Sequence, residues 1–335
     1  EWGRRVQNAE FEKAGIVDPT SLTQLSYVDR FGIGALQYEP ALHFSEGHDA
    51  VALATLRKAT LRLLEGTVES VSRQLLQSGG SAGGARPKFL VDMNELTGEI
   101  RYTRGVADMP FRPVLLKVPQ RGDDQWQRLE HLYCQLARAC GITVPDTWLL
   151  TASDSSLVHF AIARFDITAD GARYHTHTLA GLKGESYTQA RYDYRDILRI
   201  TADLTRDARD VGEMYRRMVF NYLANNRDDH AKNFSFIMNA KGVWHVSPAY
   251  DLGFSPGETG LHASSANGKR RNLELRDFAA IAEDFDIRGY REIVRRTSEV
   301  LQAFESLSLD AGVSKKKSAL IAERIRENLH RVKNS

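Results

Sequence analysis

The spacing of hydrophobic residues changes along the chain. Short apolar runs typical of strands dominate the first half, with helical spacing over residues 47–77 and 124–140. Helical spacing then dominates residues 186–335, apart from one predicted hairpin. This order predicts an α/β (α+β) fold with two lobes: a sheet-containing N-lobe, residues 1–165, and a mainly helical C-lobe, residues 166–335.

The strands expected in the N-lobe are short apolar runs bounded by glycine, proline or polar residues. These runs lie at residues 31–38, 89–92, 114–119, 142–150 and 158–165. Residues 1–30 are expected to form a helix and a turn. Residues 166–184 are polar and are expected to connect the lobes. Their histidines, His175 and His177, have no third ligand nearby, so no metal site is predicted there.

An acid- and amide-rich segment lies between a predicted helix and the predicted hairpin, residues 234–246. The segment is Asn225-Asn226-Arg227-Asp228-Asp229-His230-Ala231-Lys232-Asn233-Phe234. Asp228 and Asn233 have the interval that separates the Asp and Asn of the kinase catalytic loop H-R-D-x-x-x-x-N. After the hairpin, Asp251 precedes Leu-Gly much as the metal-binding Asp of kinases precedes Phe-Gly. The spacing therefore predicts a phosphoryl-transfer site.

Phosphoryl transfer depends mainly on positioning and on charge neutralisation, and this segment contains residue types suited to both. Asp228 can accept or orient the proton of an attacking hydroxyl group. Asn233 and Asp251 offer the oxygen ligands that Mg²⁺ prefers. Lys232 can supply positive charge, and His230 can position groups on the loop.

Three features of the N-lobe have both a functional and an ordinary interpretation. The glycine-rich residues 78–88 could bind an anion through backbone N–H groups, or form a flexible linker. They match neither a Walker A loop nor a dinucleotide-binding motif. Lys117, in an apolar run, could contact nucleotide phosphates or reach water from an edge strand. Glu130, bordering the apolar face of a helix, could pair with such a lysine or lie in solvent.

Other chemistries remain as alternatives for the acid-rich segment. Asp228 and Asp229 could be helix caps, and Asp251 could be a turn residue. A metal hydrolase could use the same acids and histidine with Mn²⁺ or Zn²⁺. That interpretation leaves the glycine-rich segment and Lys117 without roles. A Ser-His-Asp hydrolase lacks support because the G-x-S-x-G motif is absent.

Composition narrows the class of protein without naming an activity. The 335 residues are 42% hydrophobic and 26% charged, as in ordinary globular proteins. The net charge of +2 does not by itself indicate nucleic-acid binding. Cys134 and Cys140 form no C-x-x-C motif and are expected to be buried thiols. No signal peptide or membrane span is predicted, so we expect a cytoplasmic protein. Because the sequence starts at Glu1 rather than Met, we also expect a fragment or a processed product.

On these motifs, the sequence resembles the HipA family, the serine/threonine-kinase toxins of bacterial HipBA-type toxin–antitoxin systems. The resemblance spans most of the chain, and its motifs occur in the family's order. The segments that carry it are residues 81–88, 116–119, 130–145, 163–166, 226–236 and 248–253.

The resemblance implies ATP and Mg²⁺ as cofactors and a protein-kinase-like fold. It implies that Asp228 is the catalytic Asp, with His230 and Lys232 beside it, and that Asn233 and Asp251 bind Mg²⁺. It also implies that Ser81 is autophosphorylated, which would eject the phosphate loop and inactivate the enzyme. The remaining residues implied to contact the nucleotide or support its site are Gly83, Gly84, Ala85, Arg86, Pro87, Lys88, Lys117, Glu130, Ala163, Arg164, Phe165 and Tyr250.

The implied function is that of a type II toxin, an ATP- and Mg²⁺-dependent kinase that phosphorylates a translation-related protein such as an aminoacyl-tRNA synthetase. The implied partners are a helix-turn-helix antitoxin of HipB type and, through it, operator DNA. A small-molecule or lipid kinase on the same scaffold is one alternative, and a non-catalytic co-repressor subunit is another.

The sequence departs from the family pattern in three places. Ala163 replaces an acidic hinge residue, so a contact there would use the backbone. Pro87 removes one N–H group from the phosphate loop. The family's N-terminal subdomain, which helps to bind the antitoxin, is expected to be mostly missing before Glu1.

Overall fold

The computed structural model divides the chain into two compact units. The first comprises Glu1–Gln127 and Asp146–His175, and the second comprises Arg128–Pro145 and Thr176–Ser335. Within these units the structure describes residues 2–42, 50–65, 84, 86–103, 109–120, 123–152, 156–184 and 192–334. Among these residues, no helix combines the length and the apolar character needed to cross a membrane.

The first unit is built on an antiparallel sheet of five strands. Its strands are β1 (Lys88–Asn94), β2 (Ile100–Tyr102), β3 (Phe111–Lys117), β4 (Thr147–Thr151) and β5 (Val158–Ala163). Their spatial order is β2-β1-β3-β5-β4, which places β3 in the interior of the sheet. β5 is buried along its whole length, which explains why its sequence is apolar apart from His159.

Among the described residues, three helices of the first unit precede the sheet in sequence. They are α1 (Trp2–Lys13), α2 (Ser21–Val28) and α3 (Leu53–Glu65). Apolar residues of α1 and α3 join the sheet in one core, in which the Trp2 ring meets Phe89 edge-on at 5.7 Å between centroids. Thr20 caps α2, because its side chain accepts a hydrogen bond from the Thr23 N–H.

Helix α4 (Gln125–Ala139) confirms the prediction for residues 124–140. Gly141 follows it with a φ of +81°, a conformation that glycine adopts without steric cost at a helix end. Cys134 and Cys140 are both buried, as expected. Burial raises the pKa of the Cys140 thiol to about 11, so this thiol is unreactive at neutral pH.

The second unit contains a sheet of three strands and most of the helices. Its strands are β6 (His175–Thr178), β7 (Ser235–Met238) and β8 (Trp244–Val246), in the order β6-β7-β8, and the first residue of β6 is the last residue of the first unit. The hairpin of β7 and β8 confirms the prediction for residues 234–246. The third strand comes from the polar stretch that was expected only to connect the lobes.

Apart from the short helix at residues 179–183, which lies in the stretch expected to connect the lobes, the helices of the second unit follow the predicted helical spacing. They are α5 (Leu179–Lys183), α6 (Tyr194–Thr205), α7 (Ala208–Leu223), α8 (Leu275–Asp284), α9 (Tyr290–Gln302), α10 (Phe304–Asp310) and α11 (Lys315–Lys333). A capping box of Asp193 and Asp196 begins α6. Large aromatic side chains fill the core between the helices, among them Tyr194, Tyr215 and Phe278.

Two predictions in the first unit need correction. Residues 31–38 form bends rather than a strand. Side chains take the place of a strand partner: Gly34 N donates to Asp166 Oδ2 at 2.7 Å, and Arg164 donates to Gly32 O at 2.9 Å. Gly34 also has a φ of +91°, which interrupts an extended strand. The helix predicted over residues 47–77 begins only at Leu53, and residues 66–77 lie outside the described residues.

Candidate active site

The acid-rich segment follows directly after helix α7 in the second unit. The helix is largely buried and ends at Leu223. Asn225 then adopts a φ of +57°, a left-handed conformation that asparagine tolerates better than most residues. Asn226 bonds back to the helix, because its N–H donates to Asn221 O at 2.8 Å and its Nδ2 donates to Asn221 Oδ1 at 2.9 Å. The start of the loop is therefore set by the end of a buried helix.

The two adjacent acids of the loop have opposite environments. The Asp228 side chain is 60% exposed, whereas the Asp229 side chain is fully buried, at 0%. Asp229 accepts hydrogen bonds from Tyr194 Oη at 3.0 Å and from the Ala263 N–H at 2.8 Å. Only Asp228 can therefore meet another molecule. This separation agrees with the choice of Asp228 from its interval to Asn233, although its catalytic role stays a prediction.

The structure brings Asp228, His230 and Asn233 together within the loop. Asn233 Nδ2 donates to Asp228 O at 2.8 Å, and the Asn233 N–H donates to His230 O at 2.8 Å. His230 Nε2 lies 3.5 Å from Asp228 Oδ1. Because Nδ2 of Asn233 is used to close the loop, Oδ1 is the atom of this side chain that could bind a cation.

Tyr250 connects the loop to the segment that carries Asp251. Its hydroxyl donates to Lys232 O at 2.7 Å. Burial, followed by the charge of Asp251, raises the pKa of Tyr250 to about 12, despite a hydrogen bond with Ser235 that lowers it. The phenol therefore stays protonated at physiological pH and keeps its donor. Asp251 itself has a φ of +54°, a left-handed conformation that is uncommon for residues other than glycine but that aspartate adopts more often than most.

A buried ion pair on α7 fixes the backbone segment that leads to Asp251. Arg217 Nη2 donates to Ser247 O at 2.6 Å and to Glu213 Oε1 at 3.0 Å. Glu213 Oε1 also accepts the Thr143 N–H at 3.0 Å, and Thr143 O accepts the Ala249 N–H at 2.8 Å. The backbone on both sides of Pro248 is thus fixed just before Tyr250 and Asp251.

The predicted Mg²⁺ ligands, Asn233 and Asp251, have a donor set that fits a hard cation. An amide oxygen and a carboxylate are both ligands that Mg²⁺ takes in proteins. The structure also brings Asp207, Asp210 and His245 together, with ligand atoms within 4.8 Å of one another. This second group surrounds the start of α7, whose helix dipole disfavours a cation, and Arg209 already donates to the Asp207 carboxylate at 2.7 Å. We therefore assign no metal to it.

Glu130 lies on the part of α4 that belongs to the second unit, and it is only 6% exposed. The alternative of a solvated surface glutamate is therefore wrong. A carboxylate this deeply buried requires polar or charged partners, because an isolated buried charge is strongly unfavourable.

In the first unit, Lys88 and Lys117 are opposite each other on adjacent strands. They are cross-strand partners in the pairing of β1 with β3, and they are 7% and 6% exposed. Lys117 Nζ also lies 5.9 Å from the centroid of the Phe160 ring. Because β3 is an interior strand, the alternative of an edge-strand lysine is wrong. Like charges directly opposite in a sheet repel each other, so an anion beside this pair would be favoured.

The described part of the phosphate loop meets both Lys88 and helix α1. Gly84 has a φ of +90°, and a Cβ added there would lie 2.6 Å from Lys88 Nζ. Trp2 binds both ends of the segment from Gly84 to Lys88. Its backbone N–H donates to Gly84 O at 3.0 Å, and its indole Nε1 donates to Lys88 O at 2.8 Å. Arg86 lies over the Trp126 ring at 4.7 Å. Pro87 O accepts a hydrogen bond from the N–H of Val118, the residue after β3, while Ser81, Gly83 and Ala85 lie outside the described residues.

The predicted hinge residues use most of their polar groups within the first unit. The Ala163 N–H donates to Asp146 O at 2.9 Å. Arg164 forms a buried bidentate pair with Asp166, at 3.0 Å from Nε and 2.6 Å from Nη2. Its guanidinium is therefore structural. Its N–H donates to Pro113 O at 3.0 Å, so a nucleotide contact from Arg164 would use its carbonyl group. Phe165 is partly buried beside them.

Sequence patterns missed three structural features of the site. The first is the buried role of Asp229, which was assigned no function beside Asp228. The second is the register that makes Lys88 and Lys117 opposite partners. The third is the pairing of Arg164 with Asp166, for which the only signal was two opposite charges two residues apart after an apolar run.

Comparison with known proteins finds a protein family that this chain matches. The model of the HipA-like C-terminal domain family matches residues 80–307, more than half of the chain. The protein of Sinorhizobium fredii named "Putative kinase Y4dM" is 34% identical over 151 residues, covering 41% of this chain and 36% of that protein. A protein of Haemophilus influenzae named "Putative kinase" is 28% identical over 138 residues, covering 37% and 39%. The chain thus spans little more than a third of the curated relatives that it matches.

Among solved structures, the chain is similar to HipA of Shewanella oneidensis, described as a complex with HipB and operator DNA. The TM-score is 0.68 at 15% identity, and the match covers 97% of this chain and 81% of that one. At this identity the match shows the fold alone. The prediction of an α/β, kinase-like fold of HipA type is confirmed.

Proposed function

Because the chain belongs to the family of HipA-like C-terminal domains, we propose that it is an ATP- and Mg²⁺-dependent serine/threonine-protein kinase. The observation that carries this proposal is the contrast between the exposed Asp228 and the buried Asp229. An exposed carboxylate on an internally bonded loop can meet a hydroxyl group of another molecule. The names of the curated relatives, both kinases, support the same class of reaction.

In the proposed reaction, the loop of the second unit acts on the hydroxyl group. Asp228 orients the serine or threonine hydroxyl and accepts its proton as the oxygen bonds to the γ-phosphorus. The bond from that phosphorus to the bridging oxygen breaks, and ADP leaves. His230 and Lys232 position the reacting groups beside Asp228. Asn233 Oδ1 and the Asp251 carboxylate would hold Mg²⁺, which neutralises phosphate charge when it is bound.

The first unit would hold the nucleotide. Lys88 and Lys117 place two buried ammonium groups on neighbouring strands, and ATP phosphates would relieve their repulsion. Backbone N–H groups of residues 83–86 would add donors, and Ala163 to Phe165 would contact the adenine through the backbone. Tyr250 and Glu130 are further residues to which we assign a supporting role in nucleotide binding. Autophosphorylation of Ser81 would switch the enzyme off by displacing the phosphate loop.

In the cell, the kinase would act as the toxin of a type II toxin–antitoxin system. Its partner would be a helix-turn-helix antitoxin of HipB type, and it would reach operator DNA through that antitoxin. The solved HipA–HipB–operator complex supports this part of the proposal. Its substrate would be a cytoplasmic, translation-related protein such as an aminoacyl-tRNA synthetase.

The test compares Asp228→Asn with a matched surface variant, Asp203→Asn, whose parent side chain is exposed on α6. Each protein is incubated with radiolabelled ATP, Mg²⁺ and a bacterial lysate. We expect Asp228→Asn to lower phosphate transfer to protein by about 10²- to 10⁴-fold, the usual contribution of a positioned acid or base. Asp203→Asn should match the wild type.

Three outcomes would contradict parts of the proposal. Full transfer by Asp228→Asn would overturn the role of that residue. A labelled metabolite or lipid without a labelled protein would favour the small-molecule or lipid kinase. If saturating ATP–Mg²⁺ did not shift the melting temperature of the wild type, the non-catalytic co-repressor would be favoured.

A further inference from the structure

The buried carboxylate beside Asp228 is bonded to two distant parts of the second unit. Asp229 Oδ2 accepts from Tyr194 Oη at 3.0 Å and contacts His262 Nδ1 at 3.0 Å. Asp229 Oδ1 accepts the N–H groups of Ala263 at 2.8 Å and Ser264 at 3.2 Å. Ser264 Oγ donates in turn to Asp229 O at 2.6 Å. Residues 262–264 therefore contact both the side chain and the backbone of Asp229 in the loop.

His262 is itself held rigidly. Its side chain is 3% exposed and stacks on Tyr222, with ring centroids 3.8 Å apart and planes 13° apart. The Tyr222 hydroxyl lies 3.0 Å from Ser264 O and 2.8 Å from Lys269 O, so its single proton is shared between two backbone acceptors near His262. Because an ionised carboxylate only accepts, Nδ1 of His262 must carry the proton in this pair.

The segment between Asp251 and His262 is attached to the loop at further points. The Ser255 N–H donates to Asn225 O at 3.1 Å, and Asn225 Nδ2 donates to Ser255 O at 3.0 Å. Arg227 Nη1 donates to Pro256 O at 3.1 Å. The chain that follows the predicted Mg²⁺ ligand therefore returns to the loop twice, first at Asn225 to Arg227 and then at Asp229.

We propose that Asp229 and residues 262–264 form a latch, and that His262 is the positioning residue that closes it. The latch fixes the backbone on the C-terminal side of Asp228 and orders the segment after Asp251 with hydrogen bonds already present in the fold. In many kinases the corresponding ordering waits for phosphorylation of that segment. Here the loop would be set without it. The inference rests on the proposed kinase function for its catalytic consequence, but not for the contacts themselves.

The consequence for catalysis follows from the importance of positioning. A displacement of about 1 Å at a reacting group can cost about 10²-fold in rate. Opening the latch would displace Asp228 but leave Lys88 and Lys117, which belong to the first unit, as they are. Turnover should therefore fall while the KM for ATP stays unchanged.

Two substitutions at His262 separate the hydrogen bond from the packing. His262→Phe keeps a ring to stack on Tyr222 and removes the donor. His262→Asn loses the ring and keeps an amide donor near the place of Nδ1. We expect His262→Phe to lower kcat by about 10- to 100-fold with the KM for ATP within about twofold. His262→Asn should recover most of that loss.

His245→Phe is the matched control. His245, on β8, also pairs with an aspartate, Asp210, at 3.2 Å, but it lies outside the loop and residues 262–264. This control should keep the wild-type kcat. Amide hydrogen exchange provides a readout that does not need activity. In His262→Phe, exchange should rise in residues 226–233 and 262–264 and stay unchanged in the β7–β8 hairpin.

A wild-type kcat in His262→Phe would overturn the proposal, as would equal losses in His262→Phe and His262→Asn, since packing alone would then explain them. If His262→Phe does not fold, Ser264→Ala removes one latch bond, and unchanged exchange at residues 226–233 in that variant would also overturn it. A wild-type protein that transfers no phosphate would refute the proposed function instead. The exchange measurement would still decide whether the latch exists.

Discussion

Buried charges have different roles in the acid-rich loop of the second unit and in the strands of the first unit that carry Lys88 and Lys117. In the second unit, the buried Asp229 accepts hydrogen bonds from the fold around it, and the acid predicted to act, Asp228, is exposed. In the first unit, the residues predicted to act, Lys88 and Lys117, are themselves buried and lie opposite each other. In the second unit, hydrogen bonds to the buried carboxylate fix the loop beside the exposed acid. In the first unit, the buried lysines are themselves the groups expected to meet an anion.

The largest expected effect tests the contrast between the buried Asp229 and the exposed Asp228. Asp229→Ala leaves buried donors without their acceptor, so we expect the free energy of unfolding to fall by about 3 kcal/mol or more. Asp228→Ala, at an exposed position, should change it by no more than about 0.5 kcal/mol. Urea unfolding of both variants measures the difference. Equal losses would show that the burial of Asp229 carries no special weight.

The next effect concerns the two lysines. At a concentration of ATP–Mg²⁺ about 100 times its Kd, the wild type should gain about 2.7 kcal/mol of stability. Lys117→Met should lose most of that gain, because it removes one of the two buried ammonium groups. Thermal unfolding with and without nucleotide measures it. Lys58→Met, at an exposed position of α3, is the control and should keep the full gain.

A smaller effect should appear on acidification of the first unit. Burial alone would raise the pKa of Asp166, but the charge and hydrogen bonds of Arg164 and the Gly34 N–H outweigh it and lower the pKa. The folded pKa then lies below the unfolded value of about 3.9. The stabilisation is present above that value and is lost as the pH falls through the folded pKa. Acid unfolding followed by circular dichroism should therefore depend less on pH below about 4 in Asp166→Asn than in the wild type.

The smallest effect concerns the connection between the loop and the segment of Asp251. Tyr250→Phe removes the hydrogen bond to Lys232 O and should cost about 1 kcal/mol of unfolding free energy. Because the raised pKa of Tyr250, about 12, keeps the phenol protonated, this loss should be the same at pH 6 and pH 9. A loss that disappeared at pH 9 would show that the phenol ionises within that range.

Much of the fold follows from patterns that are local in sequence. Helix α4 was predicted almost to the residue, because its apolar spacing and the stop at Gly141 act within a few turns. The prediction of the β7–β8 hairpin also depended only on residues that are close in sequence. The prediction failed at residues 31–38, where Asp166 and Arg164, over 130 positions away, bind the backbone. No local pattern contains such partners.

By itself, the sequence determined the family, most of the helices and strands and the candidate residues, since each depends on residue types at short intervals. Asp228 was distinguished from Asp229 by its interval to Asn233 alone. Only the tertiary structure decided what the two acids do physically: one carboxylate is buried against Tyr194 and His262, and its neighbour faces solvent. It also decided that Lys88 lies opposite Lys117, because strand register is set by packing across the sheet. Burial and register depend on parts of the chain that are distant in sequence, and spacing within one segment does not reveal them.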